Sequence, residues 1–177
     1  MLVWIDLEMP GLNPDKEHIL EIAVILTDKN LTITAHGPRL VIYQPEQILE
    51  SMDSWCKKHH TASGLLEEVR KSTLSLVQAE KQILAFVSAH IALKSGYLAG
   101  NSIWVDRMFL RVHMPQFEHY LNYRMIDISS IKELVNAWYE GSPLLPYQKT
   151  EQHRADHDIL ESLQELSFYR KNFFIEV

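Results

Sequence analysis

Carboxylates and histidines at four places in the chain could do chemistry together. Asp6 and Glu8 stand two apart in "WIDLEMPGL" (4–12), and Asp106 lies in "GNSIWVDRMFL" (100–110). Asp127 ends "YRMID" (123–127), and "HRADHD" (153–158) holds two histidines and two aspartates. Oxygen-only donors of this kind suit hard divalent cations such as Mg²⁺ or Mn²⁺. Two such cations about 3.5–4 Å apart can activate a water and stabilise a leaving oxygen, with a nearby histidine as general base. Each piece alone also has a plainer reading. On a strand, Asp6 and Glu8 project from one face, which could be the wet face of an edge strand. An aspartate early in a helix, as at 106, complements the helix dipole. Asp127, just before Ser129 and Ser130, reads as a cap or turn. In HRADHD, helical spacing pairs His153 with Asp156 or His157, and Asp158 stands apart from both pairs.

The elements that must position these groups are written in the period of the apolar residues. Val3, Ile5 and Leu7 alternate with Trp4, Asp6 and Glu8, and "ILEIAVILTD" (19–28) is a nearly continuous apolar run. "LTITAHGPRLVIY" (31–43) is β-branched and broken by Gly37-Pro38, which predicts a bulged or edge strand. The short link 28–30 makes the second and third strands a hairpin. Beyond residue 45, Leu76, Ala79, Ile83, Phe86, Val87 and His90 fall at helical spacing. "GYLAG" (96–100) and "YRMIDI" (123–128) read as strands, each followed by a helix, near 104–112 and over 130–139. Ile159, Leu163 and Leu166 mark a last helix starting at Ala155. A three-strand meander followed by α-β-α-β-α predicts an α/β fold: a mixed five-stranded sheet with helices on both faces, as in an RNase H-like fold.

The 177 residues, without repeats or linkers, fit one domain over 1–177. Apolar residues make up 46% and charged ones 23%, the balance of a globular protein. No apolar run approaches the roughly 18 residues of a membrane helix. No signal peptide is evident either, so no membrane association is expected. The single cysteine, Cys56, allows no intramolecular disulfide and no CxxC zinc site, which makes a reducing cytoplasm the expected location. A net charge of −6 argues against a protein that coats long nucleic acid, but not against a pocket that grips one or two phosphates.

Five blocks, "WIDLEMPGL", "HTASGL" (60–65), "GNSIWVDRMFL", "YRMIDISSIKEL" (123–134) and "HRADHDILESLQEL" (153–166), resemble in order and spacing those of the oligoribonucleases. That family belongs to the DEDD 3′→5′ exonucleases with a catalytic histidine. The resemblance implies the RNase H-like exonuclease fold and hydrolysis of very short RNA, especially dinucleotides, to nucleoside 5′-monophosphates. It assigns Asp6, Glu8, Asp106 and Asp158 to two divalent cations, Mg²⁺ or Mn²⁺, and His153 to the general base. Asp6 would be shared by both ions, Glu8 and Asp158 would serve the site that orders the attacking water, and Asp106 would help hold the second ion. His153 must be neutral to take a proton, so activity should fall below its pKa.

The same resemblance places the substrate. Leu12 matches a leucine wedged between two bases, Trp55 an aromatic on which a base stacks, and His60 a pocket histidine near the 3′ end. Ser102, Arg124 and Ser129 match positions that cap the 5′ phosphate, and Tyr123 a tyrosine supplied by the partner subunit of a homodimer. Four departures stand out: Pro10 in the turn before Leu12, where it removes a backbone donor, and Met108, Asn122 and His157, which replace the family's usual arginine, histidine and aspartate. Two rivals share parts of the pattern. A DNA-directed exonuclease of the same superfamily would keep D-x-E and H…D but not the HTASGL and YR blocks. A dinucleotide-binding module would have no need of the carboxylates and the histidine.

Overall fold

The computed structural model describes residues 1–148 and 154–175. Five strands form one sheet in the order β3-β2-β1-β4-β5. The meander is β1 (Leu2–Glu8), β2 (Glu21–Thr27) and β3 (Ile33–Val41), with both pairings antiparallel. The remaining strands, β4 (Tyr97–Gly100) and β5 (Met125–Asp127), run parallel to β1. The helices are α1 (Glu46–Glu50), α2 (Ser54–Ala62), α3 (Leu65–Lys71), α4 (Leu76–His90), α5 (Ile103–His113), α6 (Pro115–Tyr120), α7 (Ile128–Trp138) and α8 (Ala155–Phe173). This is the expected mixed sheet, meander first and then alternating helices and strands.

Asp28 closes the β2–β3 hairpin, where its carboxylate accepts from the Asn30 and Thr32 N–H groups. β3 lies at the sheet edge, and its register with β2 shifts between Ala23 and Ile25. At Gly37 a Cβ would come within 2.4 Å of Val24 Cγ1 and 2.6 Å of Phe86 Cε1. Only glycine lets that irregular edge lie under α4.

Strand β1 is central, and both of its faces are covered. Val3, Ile5 and Leu7 join the core under α4, α5 and α6, while Trp4 is fully buried in a second core against α7 and α8. The wet-edge reading of Asp6 and Glu8 is therefore excluded, because they share the Trp4 face of an interior strand. At Gly100 a Cβ would sit 2.9 Å from the Ile5 carbonyl oxygen and 2.8 Å from Ile103 Cδ1, so glycine is what allows α5 to start so close to β1. A third, smaller core of Leu20, Leu49, Met52, Cys56, Leu65, Leu66 and Val69 holds α1–α3 beside the sheet. Among the described residues no helix is long and apolar enough to cross a membrane.

Candidate active site

The carboxylates converge where β1 ends beside the first turn of α8. One oxygen each from Asp6, Glu8 and Asp158 all lie within 4.8 Å of one another. Asp106 stands beside this group on α5. It is buried, and its Oδ1 accepts from the Leu7 N–H at 2.9 Å, so the helix is tied to the strand between Asp6 and Glu8. Burial, then the charges of Asp106, Glu8 and Asp158, push the Asp6 carboxyl well above the usual carboxylate range. Burial and the Asp158 charge, chiefly, push Glu8 up to about 8. Burial lifts Asp106 to about 7, against the pull of its Leu7 hydrogen bond. Strain of this kind among oxygen-only donors is what a divalent cation relieves, and the donor set fits one.

The position of Asp158 follows from the helix. The buried face of α8 runs through Ala155, Ile159, Ser162 and Leu166, and Asp158 flanks it half-buried; His157 is exposed. His153, the expected base, lies outside the described residues, which resume at Arg154.

Glu21, which no motif flagged, fixes that helix end. It is fully buried at the start of β2, in register with Glu8. α8 has no side-chain cap of its own; Glu21 Oε1 accepts from the Ala155 N–H at 3.0 Å instead. Its Oε2 takes Arg154 Nη2 at 3.0 Å and Arg39 Nη1 at 2.9 Å, and both arginines also reach Glu68. The one signal of it in the sequence is an acid, Glu21, early in the apolar run 19–28. Farther along α8, the Ser162 hydroxyl donates to the Asp158 carbonyl and accepts from Asn101 Nδ2 at 2.7 Å. The Asn101 Oδ1 in turn accepts from the Ser129 hydroxyl.

Ser102 and Ser129 meet, their hydroxyls 3.2 Å apart. Asp127 acts as the cap read from its sequence, accepting from Ser129 N–H, and it also accepts from Ser102 N–H. Ser102 adopts a left-handed conformation, φ 47°, held by these bonds. Ser129 follows β5, whereas Tyr123 and Arg124 precede it. There the Arg124 guanidinium lies 4.9 Å from the Tyr123 ring centre.

Of the remaining expected contacts, His60 lies beside a carboxylate. His60 is buried on α2, with Nε2 2.9 Å from the Met9 carbonyl oxygen and Nδ1 3.7 Å from Glu8 Oε2. It thereby ties α2 to the turn that contains Pro10. Leu12 and Trp55 are 73% and 59% exposed, so neither is a core residue, and Trp55 packs on His59 at 3.9 Å. The Asn122 side chain bridges two backbone segments, donating to Lys94 O and accepting from Arg124 N–H.

A five-stranded mixed sheet with carboxylates gathered at the end of its central strand defines a class, the exonucleases. The family model described as an exonuclease, RNase_T, matches residues 3–166, and the chain belongs to that family. A metal-free E. coli exonuclease I–single-stranded DNA complex superposes with a TM-score of 0.73 at 12% identity. It covers 97% of this chain, which spans 40% of that one, and the likeness is one of fold. Much nearer in sequence is the mitochondrial oligoribonuclease of Mus musculus, 48% identical over 173 residues, 98% of this chain and 73% of the relative. The oligoribonuclease of Dichelobacter nodosus is 47% identical over 174 residues, 98% and 95% of the two chains. Within the exonucleases, this chain is a member of the oligoribonuclease family, 3′→5′ exoribonucleases.

Proposed function

We propose that the protein removes nucleotides from the 3′ end of very short RNA, dinucleotides above all, with Asp6, Glu8, Asp106 and Asp158 holding two divalent cations, Mg²⁺ or Mn²⁺. The observation that carries this reading is the meeting of Asp6, Glu8 and Asp158 oxygens within 4.8 Å. Bound there, the cations supply charge that makes water a better nucleophile and steadies the departing oxygen. The chain's own residues do the rest. His153 takes one proton from the attacking water on a ring nitrogen. The water oxygen bonds to the phosphorus of the terminal nucleotide, and the bond from that phosphorus to the preceding 3′ oxygen breaks. The 3′ oxygen leaves as a hydroxyl after taking a proton from solvent, His153 returns its proton to solvent, and a nucleoside 5′-monophosphate is released.

Leu12 and Trp55 hold the bases, and their exposure suits that role better than packing does. His60 fixes the turn between the carboxylates and Leu12 through the Met9 carbonyl. The Ser102 and Ser129 hydroxyls donate to the 5′ phosphate, which closes the site to longer chains. Tyr123 is 71% exposed, and the Arg124 guanidinium lies 4.9 Å from its ring centre. Arg124 joins the two serines at the 5′ phosphate, and in a homodimer Tyr123 completes the site of the partner copy. The free Cys56 is compatible with a reducing compartment, and we place the enzyme in the cytoplasm.

A timed digestion of a 5′-labelled RNA ladder, dinucleotide upward, with and without Mn²⁺ and beside a matched DNA ladder, tests the reading. The expected result is Mn²⁺-dependent loss of the dinucleotide first, with monophosphate as product. Faster digestion of long RNA or of DNA, or binding without turnover, would overturn it.

A further inference from the structure

Arg107, next in sequence to Asp106, is 4% exposed, a costly place for a guanidinium unless each donor is used. All its nitrogens are engaged. Nε donates to Glu118 Oε1 at 2.9 Å, and Nη2 also lies 2.9 Å from that oxygen. Nη2 donates to the Asn122 carbonyl at 2.8 Å, and Nη1 to those of Tyr123 at 2.8 Å and Arg124 at 3.3 Å. Three successive carbonyls thus point inward at one buried fork. This is why β5 begins only at Met125 although the strand pattern starts at Tyr123. Asn122 pins the same stretch from outside through the Lys94 carbonyl and the Arg124 N–H.

With its carbonyls turned in, the arm directs its side chains outward: Tyr123 is 71% exposed and Arg124 is exposed beside it. Neither side chain is held by the core; the backbone beneath them is. A contact to a phosphate by an exposed arginine depends on how well its backbone is preset, because a loose arm must be ordered on binding.

We infer that Arg107 is a positioning residue for recognition of the 5′ phosphate: its buried guanidinium presets the 122–124 arm so that Arg124 meets that phosphate. The inference rests on the reading of Arg124 given above. Arg107 touches no substrate. Its effect falls on the discrimination between substrates with and without the phosphate, and on KM more than on kcat.

The test compares kcat/KM for a 5′-phosphorylated diadenylate with that for the unphosphorylated dinucleotide, in the intact protein with Mn²⁺. In Arg124→Ala the ratio should collapse to within about threefold of one. Arg107→Lys keeps the charge but cannot span Glu118 and three carbonyls. It should lower the ratio by about tenfold through KM, with kcat and the half-saturating Mn²⁺ within about threefold of wild type. Asn122→Ala loosens the arm from the surface, where folding is not at stake, and should lower the ratio by about threefold. A merely structural Arg107 would depress both substrates equally and reduce thermal stability while the ratio held. If Arg124→Ala lost the discrimination but Arg107→Lys and Asn122→Ala retained it, the role of Arg107 would be refuted alone. Retention of the ratio in Arg124→Ala would refute the reading of Arg124 and the inference with it.

Discussion

Asp6, Glu8, Asp106 and Asp158 stand buried or half-buried on an interior strand and two long helices. Leu12, Trp55, Tyr123 and Arg124 stand exposed on a turn, a short helix and a loop. The carboxylates are locked by backbone and buried partners: Asp106 on the Leu7 N–H, α8 on Glu21. At the rim, Trp55 packs on His59 and Arg124 lies against the Tyr123 ring. Chemistry needs groups held to a fraction of an ångström, whereas the ends of a flexible dinucleotide need surfaces it can reach. Rim changes should therefore act on binding and centre changes on turnover.

The sharpest separation lies in the centre. Asp158→Asn should reduce dinucleotide turnover by about a thousandfold or more, measured as monophosphate release at saturating substrate. His153→Ala should cost about a hundred- to a thousandfold, with Mn²⁺ binding retained. In the rim, Trp55→Ala or Leu12→Ala should raise KM by about ten- to a hundredfold while kcat changes little, because a stacked base contributes about 1–3 kcal/mol. A large kcat loss in either rim variant would break the distinction.

Proton competition gives a smaller effect of definite sign. Glu8 is raised to about 8 and Asp106 to about 7, so both are largely protonated in the metal-free protein below those values. Cations bind the deprotonated form, so apparent Mn²⁺ affinity should weaken by about tenfold per pH unit as pH falls from 8 to 7, and more steeply below 7 where a second carboxyl is protonated. For the metal-free fold the sign is the reverse. A raised carboxyl contributes stability that is fully present below its unfolded value and is lost as pH rises through its folded one. Metal-free thermal stability should therefore decline between pH 5 and 9, and Mn²⁺ should restore most at the alkaline end. The smallest effect is that of Asp156→Asn, expected within about threefold of wild-type turnover.

Much of this is legible in the chain, for physical reasons that differ by element. The meander, β4 and the helices α4, α5, α7 and α8 stand where the apolar pattern puts them, and β5 starts two residues later than its pattern. The short helices α1–α3 and α6 carry only five to nine residues each and leave too little period to read. Asp6 and Glu8 can be seen as a one-face pair, but only the pairing of β1 with both β2 and β4 excludes a wet edge. Asp158 rather than Asp156 follows from where the apolar stripe of α8 runs. Glu21 and Arg107 are hidden in the sequence because their partners lie 11 to 134 residues away, and several are backbone groups that no motif encodes.

The most direct measurement is a calorimetric titration of Mn²⁺ into metal-free wild type and Asp158→Asn at pH 8, with dinucleotide turnover read on the same samples. The account predicts Mn²⁺ binding by the wild type, with affinity lower by at least about a hundredfold in the variant and turnover lost alongside it. Equal Mn²⁺ affinity in the two proteins, or turnover that survives in Asp158→Asn, would contradict it.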